Sequence, residues 1–298
     1  MNQFIVIDIG GTAIKYGIAN ADGTLLKSAQ TPTEACKGGK ALADKVHGLC
    51  EILLKEAPDA KGIAISSAGV IDPEKASVLH ASDAIPGYKG VSFRETLRSF
   101  NLPVEAENDV NCAGLAEALH GAGKGSQSML MLTIGTGIGG CFVKESQLLG
   151  GSCCCACEVG YLPLEGGAFQ DLASTTALVK DVAARKGDPF EEWNGKRIFE
   201  GAAEGDADCV EAIDRLCAVL GKGIAALCYV LNPECVVLGG GIMAQEKVLR
   251  PGIEASFAEH SIPLIAANTA IAFAHNQNEA GMKGALVHFL SKHPQLNA

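Results

Sequence analysis

Three short apolar stretches open the chain, at 3–9, 14–20 and 24–31, and predict a meander of strands turned at Gly10-Gly11-Thr12 and Asp22-Gly23. The period then changes. Leu42, Val46, Leu49, Ile52 and Leu53 recur at threes and fours between 39 and 57, which predicts a helix with that face inward. A strand at 62–66 follows, then a loop containing Gly69, Asp72-Pro73 and Pro86-Gly87, a helix near 92–100, a strand ending at Ala106 and a helix from Asn111. The second half repeats the opening, with a strand at 128–135, a glycine turn and a strand at 138–144. The longest periodic run is 207–231, where Val210, Ile213, Leu216, Leu220, Ile224, Leu227 and Leu231 form a core-facing stripe that Asn232-Pro233 ends. Glu234–Leu238 predicts a buried strand leading to Gly239-Gly240-Gly241 and another helix. Small residues at Gly281, Gly284 and Ala285 open a terminal helix through Leu290 and suit close packing or backbone approach to a ligand. Strands, helices and strands again predict a mixed α/β protein.

With 298 residues, 48% of them hydrophobic, the chain is long enough for two domains. A net charge of −10 without a basic cluster argues against nucleic acid as a partner. It leaves room for a phosphate ligand held by backbone N–H groups and a metal. No run of 18 apolar residues exists, so no membrane partner is expected. No basic segment precedes the first strand, so no signal peptide is expected, the location is read as cytoplasmic and the twelve cysteines as thiols. Cys153-Cys154-Cys155-Ala156-Cys157 stands apart. Adjacent cysteines do not readily all reach one tetrahedral centre, and partner ligands at zinc spacing are missing. The cluster reads as a surface thiol loop or a soft-metal site.

The chemistry sits at the turns. Asp8-Ile9-Gly10-Gly11-Thr12, with Lys15 just beyond, and Thr133-Ile134-Gly135-Thr136-Gly137 each carry a strand into a glycine hairpin. Glycine there permits φ > 0 and exposes bare N–H groups, and a row of these is an anion cradle. A single such hairpin is commonly only a hairpin; two in one chain suggest a polyphosphate gripped from two sides. Asp8 would hold the Mg²⁺ that such a ligand carries, directly or through water. Glu107-Asn108-Asp109 lies at a strand-to-helix junction. There the side chains either cap the helix or face a cleft, where a carboxylate accepts a proton from a hydroxyl during phosphoryl transfer. The Gly239-Gly240-Gly241 turn offers backbone for a nucleotide.

Taken together, these motifs resemble the ROK family (repressors, uncharacterised frames, kinases), over nearly the whole length. Asp8–Thr12 and Thr133–Gly140 resemble its two phosphate motifs, Glu107-Asn108-Asp109 its sugar and base segment, and Gly239-Gly240-Gly241 its adenosine-side turn. Cys157-Glu158-Val159-Gly160-Tyr161 falls where the family writes Gly-Glu-φ-Gly-His. The resemblance implies an α/β fold of two ribonuclease-H-like (actin/hexokinase-type) domains hinged around a cleft. It divides the chain into a smaller domain of residues 1–112 plus 285–298 and a larger one of 113–284. It implies ATP-dependent phosphorylation of the 6-hydroxyl of a sugar in a homodimeric enzyme. Asp109 would be the base. Asn108, Glu107, Glu158, Tyr161, Gly69 and Ser82 would contact sugar. ATP and Mg²⁺ would meet Asp8, Gly10, Gly11, Thr12, Lys15, Gly135, Thr136, Gly137, Gly239, Gly240 and Gly241. Members that are repressors carry a DNA-reading domain ahead of the first phosphate motif; Asp8 is the eighth residue here.

The departures bear on substrate. The family's zinc loop is written here without cysteine, as Leu162 to Ser174, and its zinc-binding histidine is Tyr161, so no structural zinc is expected. Gln170, with Asp171 beside it, occupies a position that often supplies a carboxylate to sugar, and Ser82 or Asp83 replaces an asparagine. These departures favour a glucose unit, free or as a β-glucoside. N-acetylmannosamine and a catalytically inactive sugar-binding regulator stay open as alternatives.

Overall fold

The computed structural model describes residues 1–297, the side chain of Gln277 apart. The chain forms two compact units, one of Met1–Ala116, Gly150–Cys155 and Asn278 onward, the other of Glu117–Leu149 and Ala156–Gln277. The division differs from the expected one: the first crossing lies inside a helix, the return comes at Asn278, and 150–155 join the first unit.

The first unit contains β1 (Gln3–Ile9), β2 (Ala13–Asn20), β3 (Leu25–Pro32), α1 (Gly38–Glu56), β4 (Ile63–Ser67), β5 (Val70–Asp72), β6 (Ser77–His80), α2 (Phe93–Leu97), β7 (Val104–Asn108) and the start of α3 (Asp109–His120). Its sheet runs β3-β2-β1-β4-β7, with the meander antiparallel and β4 and β7 parallel to β1. Alternation along β1 supplies two cores. Ile5, Ile7 and Ile9 pack with Leu42, Val46, Leu49 and Leu53 of α1. Phe4 and Val6 face the other way. Ile52 is 52% exposed, at the margin of the expected stripe. The segment read as a loop after Gly69 instead holds the β5–β6 hairpin.

The second unit repeats this plan. It contains β8 (Ser128–Ile134), β9 (Ile138–Lys144), β10 (Gln147–Leu148), β11 (Pro163–Leu164), β12 (Gly167–Ala168), α4 (Phe169–Ala173), α5 (Thr175–Lys186), α6 (Gly195–Ala203), α7 (Ala207–Leu231), β13 (Cys235–Gly239), α8 (Glu246–His260), α9 (Pro263–Asn268) and β14 (Ala270–Phe273). The sheet order is β10-β9-β8-β13-β14, again an antiparallel hairpin followed by parallel strands. Asp206 caps α7 by accepting from the N–H groups of Asp208 and Cys209, and Asn232, in the left-handed region, ends it before Pro233. Val210, expected in the core stripe, is exposed. The terminal helix α10 (Ala280–Lys292) belongs to the first unit, where Met282, Leu286 and Phe289 cover Phe4 and Val6. Among the described residues no helix is long and apolar enough to cross a membrane.

Candidate active site

In the first unit the register of the parallel strands sets Asp8, Ser66 and Glu107 abreast, with Ile9, Ser67 and Asn108 one step further on. All lie at the C-terminal ends of β1, β4 and β7, where α/β sheets present ligands. Ser66 Oγ donates to Asp8 Oδ1 at 2.7 Å, and Lys15 Nζ, across the hairpin, is 3.5 Å from Oδ2. Gly281 brings α10 against this carboxylate, and a methyl group there would collide with it.

Asn108 caps α3. Its Oδ1 accepts from Val110 N (2.9 Å) and Asn111 N (3.0 Å), and its Nδ2 donates to Gly69 O (2.9 Å) and Asp109 Oδ1 (3.0 Å). Both amide hydrogens and the carbonyl are engaged. These contacts orient Asp109 beside it. Burial first, and then the neighbouring Asp8 carboxylate, push the Asp109 carboxyl up to about 6.

Glu107 is corrected as a sugar contact. Strand alternation turns it to the face opposite Asn108. It is buried, accepting from Asn108 N (2.7 Å) and Asn111 Nδ2 (3.0 Å), with His288 Nδ1 of α10 at 3.9 Å. Gly69, at φ +94°, serves the turn after β4 and lends its carbonyl to Asn108; a side chain there would crowd the His80 carbonyl. Ser82 lies exposed in the loop after β6.

Each glycine hairpin is closed by the N–H of its first glycine, the first across four residues and the second across three. Gly10 N donates to Ala13 O at 3.1 Å and Gly135 N to Gly137 O at 2.9 Å. In each turn the next two N–H groups, of Gly11 and Thr12 and of Thr136 and Gly137, make no hydrogen bond among the described residues. Thr33 pins the first turn through Gly10 O and Thr12 O. The expected positive φ is absent from Gly10, Gly11, Gly135 and Gly137. What glycine supplies there is clearance: a methyl at Gly137 would meet Gln170 Oε1 at 2.6 Å, while Gly11 and Gly135 face open space. Of the Gly239–Gly241 turn, only Gly240 takes a positive φ, +109°, and its Cα lies against the Ile134 carbonyl.

A cavity of about 580 Å³ opens beside the second hairpin. Val179, Phe190, Trp193, Phe199 and Ile242 are its apolar lining, Thr136, Thr175, Thr176, Asn194, Lys196 and Gln245 supply polar groups, and Gly135, Gly195 and Gly241 border it too. Arg197 stacks over the Trp193 ring at 4.1 Å. Only Gly135, Gly241 and Thr136 were singled out by the sequence. The remaining residues come from three separate segments, and a lone tryptophan beside an Asn-Gly helix start was their only signal.

Glu158 and Tyr161 are exposed on a 3₁₀ turn, Val159–Tyr161, whose Val159 and Gly160 are buried. Gln170 does not reach outward. Its Oε1 sits over Gly137 and Gly160. Asp171 is exposed and borders a separate small cavity with Arg215. The stretch corresponding to the zinc loop is the β11–β12 hairpin, turned at Glu165-Gly166.

The donor set distinguishes two metals. Among the described residues no three His, Cys, Asp or Glu side chains gather as a metal cage. Structural Zn²⁺ requires four such ligands. Mg²⁺ keeps most of its water and takes one or two carboxylates plus phosphate, and Asp8 fits that demand. Strong chelation followed by excess Mg²⁺ is expected to restore full turnover. Stoichiometric zinc by elemental analysis, with activity lost on its removal, would contradict this.

A family model described as ROK family matches residues 4–292. A beta-glucoside kinase of Listeria monocytogenes is 33% identical over 97% of this chain and 98% of that protein. A ROK family protein from Streptococcus pneumoniae, solved in complex with sucrose, is similar with a TM-score of 0.84 and 30% identity, covering 98% of this chain and 99% of that one. A ROK family glucokinase from Streptomyces griseus, solved with glucose and AMPPNP, has a TM-score of 0.82 and 25% identity over 96% and 98%. With a match that runs almost end to end and a relative one-third identical over nearly the full length, this chain belongs to the ROK family.

Proposed function

We propose that the protein is an ATP-dependent sugar kinase that phosphorylates the 6-hydroxyl of a glucose unit, free or carried as a β-glucoside. The observation that carries the reading is Asp109, held by Asn108 at the end of a parallel strand beside Asp8 and raised to about 6. A carboxylate so placed is ionised at neutral pH and basic enough to take the hydroxyl proton as the oxygen attacks phosphorus. The free N–H groups of each hairpin suit phosphate oxygens. The 580 Å³ cavity, lined by both apolar and polar side chains, suits adenosine. Mg²⁺ at Asp8, bound directly or through water, would neutralise developing phosphate charge. Lys15 and Ser66 fix the orientation of that carboxylate. Glu158, exposed and carboxylate-bearing, accepts two adjacent hydroxyls of the sugar.

Family membership supports the kinase class. The named Listeria relative and the sucrose complex support a glucose unit whose O1 carries a substituent. The test is ADP release measured across glucose, methyl β-glucoside, cellobiose and N-acetylmannosamine. Turnover of the glucose compounds is expected. Turnover of N-acetylmannosamine alone would reject the substrate and keep the kinase; no ADP release with any of these sugars would leave a sugar-binding regulator.

A further inference from the structure

We infer that the buried carboxylate of Glu107 is a positioning residue for the base: through Asn108 and Asn111 it holds the first turn of α3 in the shape that sets the Asp109 carboxylate. The inference rests on the sugar-kinase reading and adds to it a residue that acts through the base and not on the substrate.

Glu107 is 5% exposed, and among the described residues no Lys or Arg makes an ion pair with it. Lys292, the cation whose field reaches it, is engaged with Glu74, Glu105 and Pro73 O. His288 Nδ1 stands 3.9 Å from Glu107 Oε2. Burial first, with Lys292 behind it, holds that imidazole down at about 4, so it is neutral at pH 7. His288 Nε2 is buried and makes no hydrogen bond. Burial likewise pushes the Glu107 carboxyl up. A carboxylate buried without a cation costs stability, so charge pairing does not explain its place. What it does make is a pair of hydrogen bonds, both to Oε1.

Those two bonds bracket Asp109 in the chain. Oε1 accepts from Asn108 N, on the residue before it, at 2.7 Å, and from Asn111 Nδ2, beyond it, at 3.0 Å. Asn108 closes the turn with its own side chain: Oδ1 accepts from Val110 N and Asn111 N, and Nδ2 donates to Asp109 Oδ1. The end of β7 and the first turn of α3 are thus joined on both faces of the junction, with the base between the joints. The first N–H groups of a helix have no partner within it, so the shape of this junction depends on such side chains. On the far side α10 shuts Glu107 in. A methyl at Gly284 would collide with the Cys112 carbonyl, Cys112 Sγ donates to Glu107 O at 3.9 Å, and His288 stands against Oε2. A neutral imidazole there adds bulk without pulling the carboxylate away from its two donors.

The experiment measures kcat, and KM for ATP and for the sugar turned over fastest, in the wild type, Glu107→Gln, Glu107→Leu and Asn111→Ala, and repeats Glu107→Leu in the Asp109→Asn background. Glutamine keeps Oε1 as an acceptor and is expected to hold kcat within about threefold of the wild type. Leucine has similar bulk but accepts nothing. It is expected to lower kcat about 100-fold with both KM values little changed, the scale for a base displaced by about 1 Å. Asn111→Ala opens one of the two joints and is expected to lower kcat about tenfold; it tests the same contact should the leucine variant fail to fold. With Asp109→Asn already present, Glu107→Leu is expected to cost less than about twofold more, because the base it positions is gone. Equal losses in the two backgrounds, a Glu107→Gln enzyme as impaired as Glu107→Leu, or an Asn111→Ala enzyme with wild-type kcat would each overturn the inference while wild-type turnover upholds the kinase. A wild type that releases no ADP with any sugar would overturn the reading beneath it as well.

Discussion

Asp109→Asn is expected to lower kcat by about two to four decades, the range for loss of a general base, while the protein stays folded and still binds nucleotide. The amide matches the carboxyl in shape and can keep the contacts that Asp109 makes with Val110 N and Asn108 Nδ2 at the start of α3. It cannot accept a proton. The pH dependence follows from the same environment. Burial and the Asp8 carboxylate raise the Asp109 carboxyl from 3.8 to about 6, so kcat/KM of the wild type should fall tenfold per pH unit below about 6 and level off above it. The sign for stability is opposite. The fold prefers the neutral acid, so this group's contribution is fully present below about 3.8 and is lost as pH rises through 6. Asp109→Asn should therefore unfold at a higher temperature than the wild type at pH 7 and show no acid limb in its residual activity. A variant that keeps most of its kcat would remove Asp109 from the mechanism.

Glu117→Ala is expected to cost about 3 kcal/mol or more of stability, since each buried N–H left without an acceptor costs about 1–3 kcal/mol. Glu117 ends fully buried in the last turns of α3. Its Oε1 accepts from Asn276 N (2.7 Å) and Nδ2 (3.1 Å), and its Oε2 from Ala122 N (2.8 Å) and His275 N (3.1 Å). One carboxylate thereby ties the turn after α3 to the segment after β14. Gly121 sits so close that a methyl there would collide with the carboxylate. Alanine leaves these N–H groups facing a void. Glutamine keeps one acceptor and sets a donor against donors, so an intermediate loss is expected. Urea unfolding of both variants, with expression at reduced temperature, measures the effect; a loss under about 1 kcal/mol for alanine would show that the donors find water instead.

The hairpins, the long helix α7 and the strand-to-helix junction at Asp109 were legible in the sequence because each depends on residues close together in the chain. A strand running into Gly10-Gly11-Thr12 has few other structures open to it, and leucines stepping by threes and fours specify one face of a helix. Asp109 was legible because a short polar residue between a strand and a helix has only a cap or a ligand to serve. Three features lay beyond such reasoning. Glu107 and Asn108 are neighbours of equal polarity, and alternation puts them on opposite faces; only the packing of α10 decides that Glu107 faces a helix while Asn108 orients the base. Glycine in the hairpin turns reads as a need for positive φ, whereas none of these glycines takes one, and at Gly137 the need is clearance from Gln170 many residues away. The nucleotide-sized cavity is assembled from the β8–β9 turn, α5, the segment around Trp193 with α6, and the turn after β13. Apolar residues on α5 and α6 look the same in sequence whether they line a core or a cavity. The sequence by itself determined where the turns fall and that a carboxylate stands at the start of α3. Tertiary structure decided which side chains are covered and which stay open, because burial is set by what packs against a face and not by the residues on it.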